Sequence, residues 1–477
     1  MLSSIILGAF FALAIPPSPA LCYGAAVAAS TDPASYDKHD IIKRDVLVIG
    51  AGSTGIYTSI RLKDHQKTVL VVEKKSTIGG HAEDYIDPSG VALDMGVATF
   101  AHTDTVRAYF DRFNLSLIPF QEPGVRKYVD FSTGKLTNFP EPDVKKLQNA
   151  LATYVGEQSK YPTVQGSFNM TYPVAPDLLL PFGDFVAKYG LEDLVPRVFA
   201  LIQGAVPLLE ISTLYVFKYL SAQAVNSQIN GFLTTEHHHT MELYQRAAEF
   251  LGWDNILLNS TVSAMDRSCP DEVRVALCTP AGPKLVIAKK LLSTPPPLLE
   301  NLSGYDLSAD ETHLFGQFFG NGYYAALLRN TGINYLNTSI LNIQPGQRYD
   351  VPKLPGIYAA IPLPIGHGLL HVYYGSPKPL PDEQVKADII ANIQRYQKAN
   401  GLPVTKPEVA KYVNHAVFNV MVSKDAIKDG FYKKLYTLQG QRNTFYNGIA
   451  WHTQDSSLLW KFTDDYIIPI FLASFKS

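Results

Sequence analysis

The sequence predicts an α/β fold in which a Rossmann-like nucleotide-binding domain is interleaved with a mixed α+β domain. Three observations predict it. A short apolar run, Val46 to Ile49, leads directly into Gly50-Ala51-Gly52-Ser53-Thr54-Gly55 and then into a helical pattern on Ile56, Ile60 and Leu62. A second strand-like run, Thr68 to Val72, ends on Glu73. At 477 residues the chain is also too long for one ordinary core, which makes two domains the natural expectation.

Each piece of the first unit has a mechanical duty. A continuous apolar run is the mark of a strand buried on both faces of a parallel sheet. Gly50 makes the tight turn, Gly52 lets the backbone approach a pyrophosphate, and Gly55 lets helix and strand pack closely. Ser53 opens the helix, whose free N–H groups hold phosphates, and Glu73 accepts from a ribose hydroxyl. Gly-rich turns alone are common; here the strand, the helix and the acidic residue all fall where a dinucleotide requires them.

Composition bounds the rest. The formal net charge is −2 with no basic run, so nucleic acid is excluded as a partner. The 27 Tyr and 24 Phe suit a pocket for a flat ligand, and equally a large core. From Ile5 to Ile15 the chain is apolar or small, followed by Pro16, Pro17 and Pro19. This reads as a signal peptide over residues 1–24, cleaved after Cys22 or Gly24, with no stable membrane insertion once it is removed. The alternative is an uncleaved anchor. Sequons at Asn114, Asn169, Asn259, Asn301 and Asn337 permit glycosylation in the secretory pathway, for a protein secreted or held in a vesicle or ER lumen. Cys269 and Cys278 flank a turn at Pro270 and Asp271; they could pair in an oxidising lumen or stay as core thiols.

The segment after the second strand resembles a known superfamily. Glu73 to His81 is similar to the E-x-R-x-x-x-G-G-R stretch of the monoamine oxidase and phytoene desaturase flavoenzymes, with Lys75 and His81 in the basic places and Gly79-Gly80 as the pair. Leu93 to Ala98, containing Gly96, resembles their L-D-x-G segment. Leu257 to Val262 with Met265 resemble the strand whose backbone contacts the adenine, and Lys289 to Pro295 resembles the strand and turn that follow it. Leu438 to Trp451, containing Gly448, resembles the closing flavin segment, after which a helix from about Ser456, including Ser457, points its N-terminus at the flavin. Most closely the chain resembles the fungal beta-cyclopiazonate dehydrogenase family of secondary metabolism. The resemblance implies FAD, a monoamine-oxidase-like fold, and a two-electron oxidation of a small molecule, with ring closure of an indole metabolite in the type enzyme.

The resemblance also implies an organisation. Residues 43–101, 231–302 and 430–477 build a discontinuous FAD domain, and 102–230 with 303–429 build the substrate domain. Residues 143–230 read helical, with Leu191, Leu194, Val198, Leu201 and Ile202 in one apolar pattern. Strand-like stretches at Tyr323 to Leu328 and Leu369 to Tyr374, then a helix carrying Val385, Ile389, Ile390, Ile393 and Tyr396, suggest a sheet roofing the flavin.

On the substrate side Tyr323 and Tyr324 could wall the pocket or simply fill core. His237, His238 and His239 are consecutive, so their side chains diverge and no metal site is expected. No catalytic triad is present, and none is needed where the cofactor takes the hydride. Amine oxidation using oxygen, or a purely structural flavin, are the alternatives to metabolite dehydrogenation. His81 replaces the relatives' Arg with an imidazole that can be neutral. It could bond covalently to the flavin 8α carbon or only donate a hydrogen bond.

Overall fold

The computed structural model describes residues 30–333, 335–363 and 368–476; the expected signal peptide lies outside them. β1 (Ile41–Ile49) is buried from Val46 because both sheet faces are covered, Val46 and Val48 packing in one core and Leu47 and Ile49 in another. It pairs in parallel with β2 (Val69–Val72) and with Gly282–Ser293, and α1 (Ser53–Asp64) is the crossover between β1 and β2. Ile256–Leu257 extends the parallel array beyond β2, and Thr444–Tyr446 joins the far end of Gly282–Ser293. An antiparallel meander, Thr261–Asp266 and Val273–Thr279, completes seven strands. Three stretches of chain far apart in sequence thus close one sheet, the Rossmann-like architecture expected.

A second seven-stranded sheet runs in the order Glu408–Asn414, Gly322–Arg329, Leu370–Ser376, Gly356–Pro362, Thr338–Asn342, Val125–Asp130, Lys135–Thr137. The last two strands at one end come from the first insert, and Val125–Asp130 pairs in parallel with Thr338–Asn342. The run Val-Arg-Lys-Tyr-Val-Asp buries only Val129, which is why its local pattern is faint.

Strand alternation sorts the two faces. Tyr324, Ala326, Leu328, Leu370, Val372 and Tyr374 face the helix Asp382–Ala399, whose Val385, Ile389, Ile393 and Tyr396 fill the space between. Each of those aliphatic side chains contributes about 1.5–3 kcal/mol by leaving water. Tyr323 and Tyr373 face the other way. Residues 144–230 are helical as expected, and Leu191, Leu194, Val198 and Ile202 share one buried core.

Three local readings find their place in the structure. Cys269 is a free thiol at the hairpin turn, while Cys278 lies opposite Thr261 at the hairpin's other end. Cys278 lies four positions along its strand from Arg274, about 13 Å of rise, well beyond disulfide reach. Asn301 is half-buried and donates to the Pro296 carbonyl at 3.1 Å, unlike the exposed Asn114, Asn169, Asn259 and Asn337. The three histidines diverge: His238 has a left-handed backbone at φ 50°, and His239 meets Asp84 at 2.8 Å.

One buried ion cluster ties the C-terminal strand to the meander. Arg267, with its side chain wholly buried, donates to Asp306 at 2.6 Å and to both oxygens of Glu311 at 2.8 and 2.9 Å. Tyr446 hydrogen-bonds Glu311, and Arg442 pairs with Asp306. Removing one partner strands the other charge in low dielectric. Glu311→Ala should therefore cost about 3–5 kcal/mol in urea denaturation of the holoprotein, whereas Arg267→Met combined with Glu311→Leu should cost less than that single change.

Candidate active site

The site begins at the start of α1. Gly50 turns at φ +98°, a conformation an L side chain adopts only under strain. A Cβ on Gly55 would stand 1.9 Å from the Gly50 oxygen, so helix and turn are in backbone contact. Gly52 is different: a Cβ there would find no protein atom nearer than Gly80 Cα at 3.6 Å. Its bareness serves the space in front of it. Gly52 is also the helix N-cap and offers no capping side chain, so the first-turn N–H groups face the cavity unpaired by a cap.

The Gly79-Gly80 loop closes against this turn. Gly79 donates to the Ala51 carbonyl at 2.8 Å, and a Cβ on Gly80 would come within 2.9 Å of Gly52 Cα. Glu73 is buried and fixes the geometry by accepting from Ala51 N at 2.8 Å and Lys75 N at 2.8 Å. Lys75 turns its ammonium back to Glu83 at 2.8 Å. Gly96 is required by backbone contact, since a Cβ would lie 1.8 Å from the His81 oxygen. Asp94, two residues earlier, accepts from Thr240 N at 2.8 Å, and burial pushes its carboxyl up to about 7.

A C-terminal helix, Ser456–Phe462, brings a second N-terminus to the same place. Ser53 Oγ and Ser456 Oγ are 3.0 Å apart, and Trp460 Nε1 donates to Ser53 Oγ at 3.0 Å. Here the sequence reading was one residue off. Ser457 Oγ accepts from Ala101 N at 3.1 Å and points away from the cavity; Ser456 lines it. Asp455 caps this helix, accepting from Ser457 N and Leu458 N at 2.7 and 3.3 Å, so two of the N–H groups expected for the ligand are already engaged.

These residues open on one cavity of about 1070 Å³ that also reaches Val262 and Gly448. Its far wall is aromatic. Tyr323 packs tilted against Phe418 at 4.6 Å and stacks on His415 at 5.4 Å, and His81 meets His415 edge-on at 5.0 Å. Tyr358 and Tyr373 continue the wall, 5.7 Å apart. Tyr324, expected beside Tyr323, lies on the opposite sheet face with its hydroxyl accepting from Leu380 N at 2.7 Å. Burial holds His81 well below the usual histidine range and lowers His415 to about 4. Among the described residues the wall is therefore neutral. Tyr358, Tyr373, His415 and Phe418 carry no motif; the alternation of His371 and Tyr373 was the available signal.

A bare-backbone turn, an uncapped helix N-terminus, an acidic residue at the end of β2 and a long cavity with a flat aromatic wall fit a flavin dinucleotide. Comparison with known proteins agrees. Residues 48–113 match the model of the NAD(P)-binding Rossmann-like domain. The chain is 37% identical over 92% of its length to FAD-dependent oxidoreductase oblC of Cochliobolus heterostrophus, 93% of which is covered. It is 35% identical over 90% of its length to beta-cyclopiazonate dehydrogenase of Aspergillus flavus, again covering 93% of that protein. Among solved structures, a CLA-producing fatty acid isomerase from P. acnes superposes with a TM-score of 0.74 at 20% identity, covering 90% of this chain and 99% of that one. Wild-type putrescine oxidase superposes with a TM-score of 0.64 at 15% identity, covering 90% and 100%. Fold and site define an FAD-dependent oxidoreductase of the amine-oxidase-like architecture. The chain belongs to the beta-cyclopiazonate dehydrogenase family of fungal FAD-dependent oxidoreductases.

The glycines make different demands that substitution can separate. Gly52→Val should give folded protein purified without flavin absorbance, because its side chain enters ligand space. Gly55→Ala should lower the thermal midpoint of the apoprotein as well, because its methyl meets backbone.

Proposed function

We propose that the protein dehydrogenates a small, flat, aromatic secondary metabolite of the indole-alkaloid kind, a two-electron oxidation that ring closure can follow. The observation that carries this reading is the continuity of the cavity, from the Gly52 and Glu73 cradle to the wall of Tyr323, Tyr358, Tyr373 and Phe418. Bound FAD supplies the hydride acceptor. The chain's own part is to bind, orient and exclude water. Tyr323 and Phe418 offer ring faces to a planar substrate, and the neutral imidazoles of His81 and His415 keep fixed charge away from the reacting atoms. Charged groups also line the cavity, where Arg126 pairs with Glu122 and Glu141 at 3.2 and 3.7 Å. The name of the 35% identical Aspergillus relative supports a dehydrogenase reading.

The holoenzyme mixed anaerobically with an indole metabolite that is its substrate should lose its oxidised-flavin absorbance. Peroxide formed stoichiometrically on admitting oxygen would instead mark an amine-oxidase-like use of oxygen, and a flavin that no indole metabolite or amine bleaches would overturn the redox reading.

His81 is already packed in the wall against His415 and, at 6.0 Å, Phe418. We propose that it orients the cofactor without a covalent bond. Acid denaturation should then release free FAD into the supernatant, and flavin retained on the His81 peptide would establish the 8α bond. We also propose action in the secretory lumen. The apolar stretch Ile5 to Ile15 and the exposed sequons support it, and no helix among the described residues is long and apolar enough to cross a membrane. Glycosidase treatment of protein from its host should increase its electrophoretic mobility.

A further inference from the structure

The cavity face of the second sheet carries an arrangement that flavin binding leaves unused. Tyr373 lines the cavity, and its hydroxyl lies 3.0 Å from Nδ1 of His371, two residues earlier on the same face. His371 is buried, and its Nε2 has no partner among the described residues. That asymmetry decides where the proton sits. Burial lowers His371 to about 3, so the ring is neutral and has a single N–H. On Nε2 that N–H would be a buried donor without an acceptor, the rarer and costlier kind of orphan. On Nδ1 it is satisfied by the Tyr373 oxygen, and only a lone pair goes unused. Tyr373 therefore accepts from His371, and its own O–H proton is left to give.

The surroundings keep it a donor. Burial first, then the nearby Tyr323 and Asp94, raise Tyr373 above the ordinary tyrosine range, so the phenol stays protonated. A directed donor in an apolar, aromatic space discriminates strongly, because a ligand lacking the acceptor leaves it unpaired.

We propose that Tyr373 is a specificity-determining hydrogen-bond donor, held in orientation by His371, and that it selects flat aromatic substrates bearing a carbonyl oxygen. The inference rests on the aromatic cavity being the substrate's place, as proposed above. Tyr373 would touch substrate, and His371 is a positioning residue acting through it.

The test compares two probes of nearly the same shape, indole-3-carbaldehyde and 3-methylindole, titrated into oxidised holoenzyme and read by perturbation of the flavin spectrum. The wild type should bind the aldehyde about tenfold more tightly, the worth of one net hydrogen bond. Tyr373→Phe should abolish that preference while leaving 3-methylindole affinity within about twofold and flavin content unchanged. His371→Asn, whose amide nitrogen can donate from the position of Nδ1, should keep the preference, and His371→Leu should lose it. A preference that survives in Tyr373→Phe, an equal loss for both probes, or no preference in the wild type would overturn the proposal. So would an Asn variant that behaves like the Leu variant. Because the readout is binding to oxidised enzyme, a failure of flavin reduction would overturn the proposed oxidation without altering this result, whereas absence of saturable binding of either probe overturns the donor assignment.

Discussion

A single serine hydroxyl holds the active site together. Ser53 Oγ accepts from the indole N–H of Trp460 and shares a hydrogen bond with Ser456 Oγ, 403 residues away in sequence. Trp460 is fully buried, so its N–H must find an acceptor. Ser53 is the one it finds, and an orphaned indole there would cost about 1–3 kcal/mol. Around it Tyr57 and Phe100 stack on the indole at 5.6 and 5.7 Å, and Tyr109 meets it edge-on at 4.8 Å. The result is that α1 and the helix Ser456–Phe462 begin at one fixed point, and both open on the cavity.

The rest of the site depends on that fixed point. The Gly52 turn can be left bare for a ligand only because the Gly79-Gly80 loop and Glu73 support it from behind. The buried Arg267–Glu311 cluster does the same for the closing strand Thr444–Tyr446, whose Tyr446 stacks on Trp451 at 5.1 Å. Beyond the cradle the chemistry of the wall is set by burial: imidazoles are kept neutral and phenols protonated, so the space favours flat, weakly polar molecules. Selectivity within it then falls to hydrogen bonds directed by partners such as His371.

The nucleotide-binding unit was legible because its parts are local. The β1 turn, α1, β2 and Glu73 lie within one short stretch, and each glycine's duty follows from covalent geometry at its own position. The helical insert and the helix Asp382–Ala399 were legible for a similar reason, since apolar periodicity is written along each element. FAD, and the family, followed from the Gly79 to His81 and Leu438 to Trp451 segments.

The sequence by itself therefore determined the fold class, the cofactor and the cradle residues. Tertiary structure decided which neighbour of an adjacent pair faces the ligand. Tyr323 rather than Tyr324, and Ser456 rather than Ser457, meet the cavity because strand register and helix phase are set by partners hundreds of residues away. The same long-range pairing placed Val125–Asp130 beside Thr338–Asn342 in the second sheet, kept Cys269 away from Cys278, and assembled His81, Tyr373 and His415 into one wall. No local pattern carries that information, since a side chain's face is fixed only once its strand has chosen a neighbour.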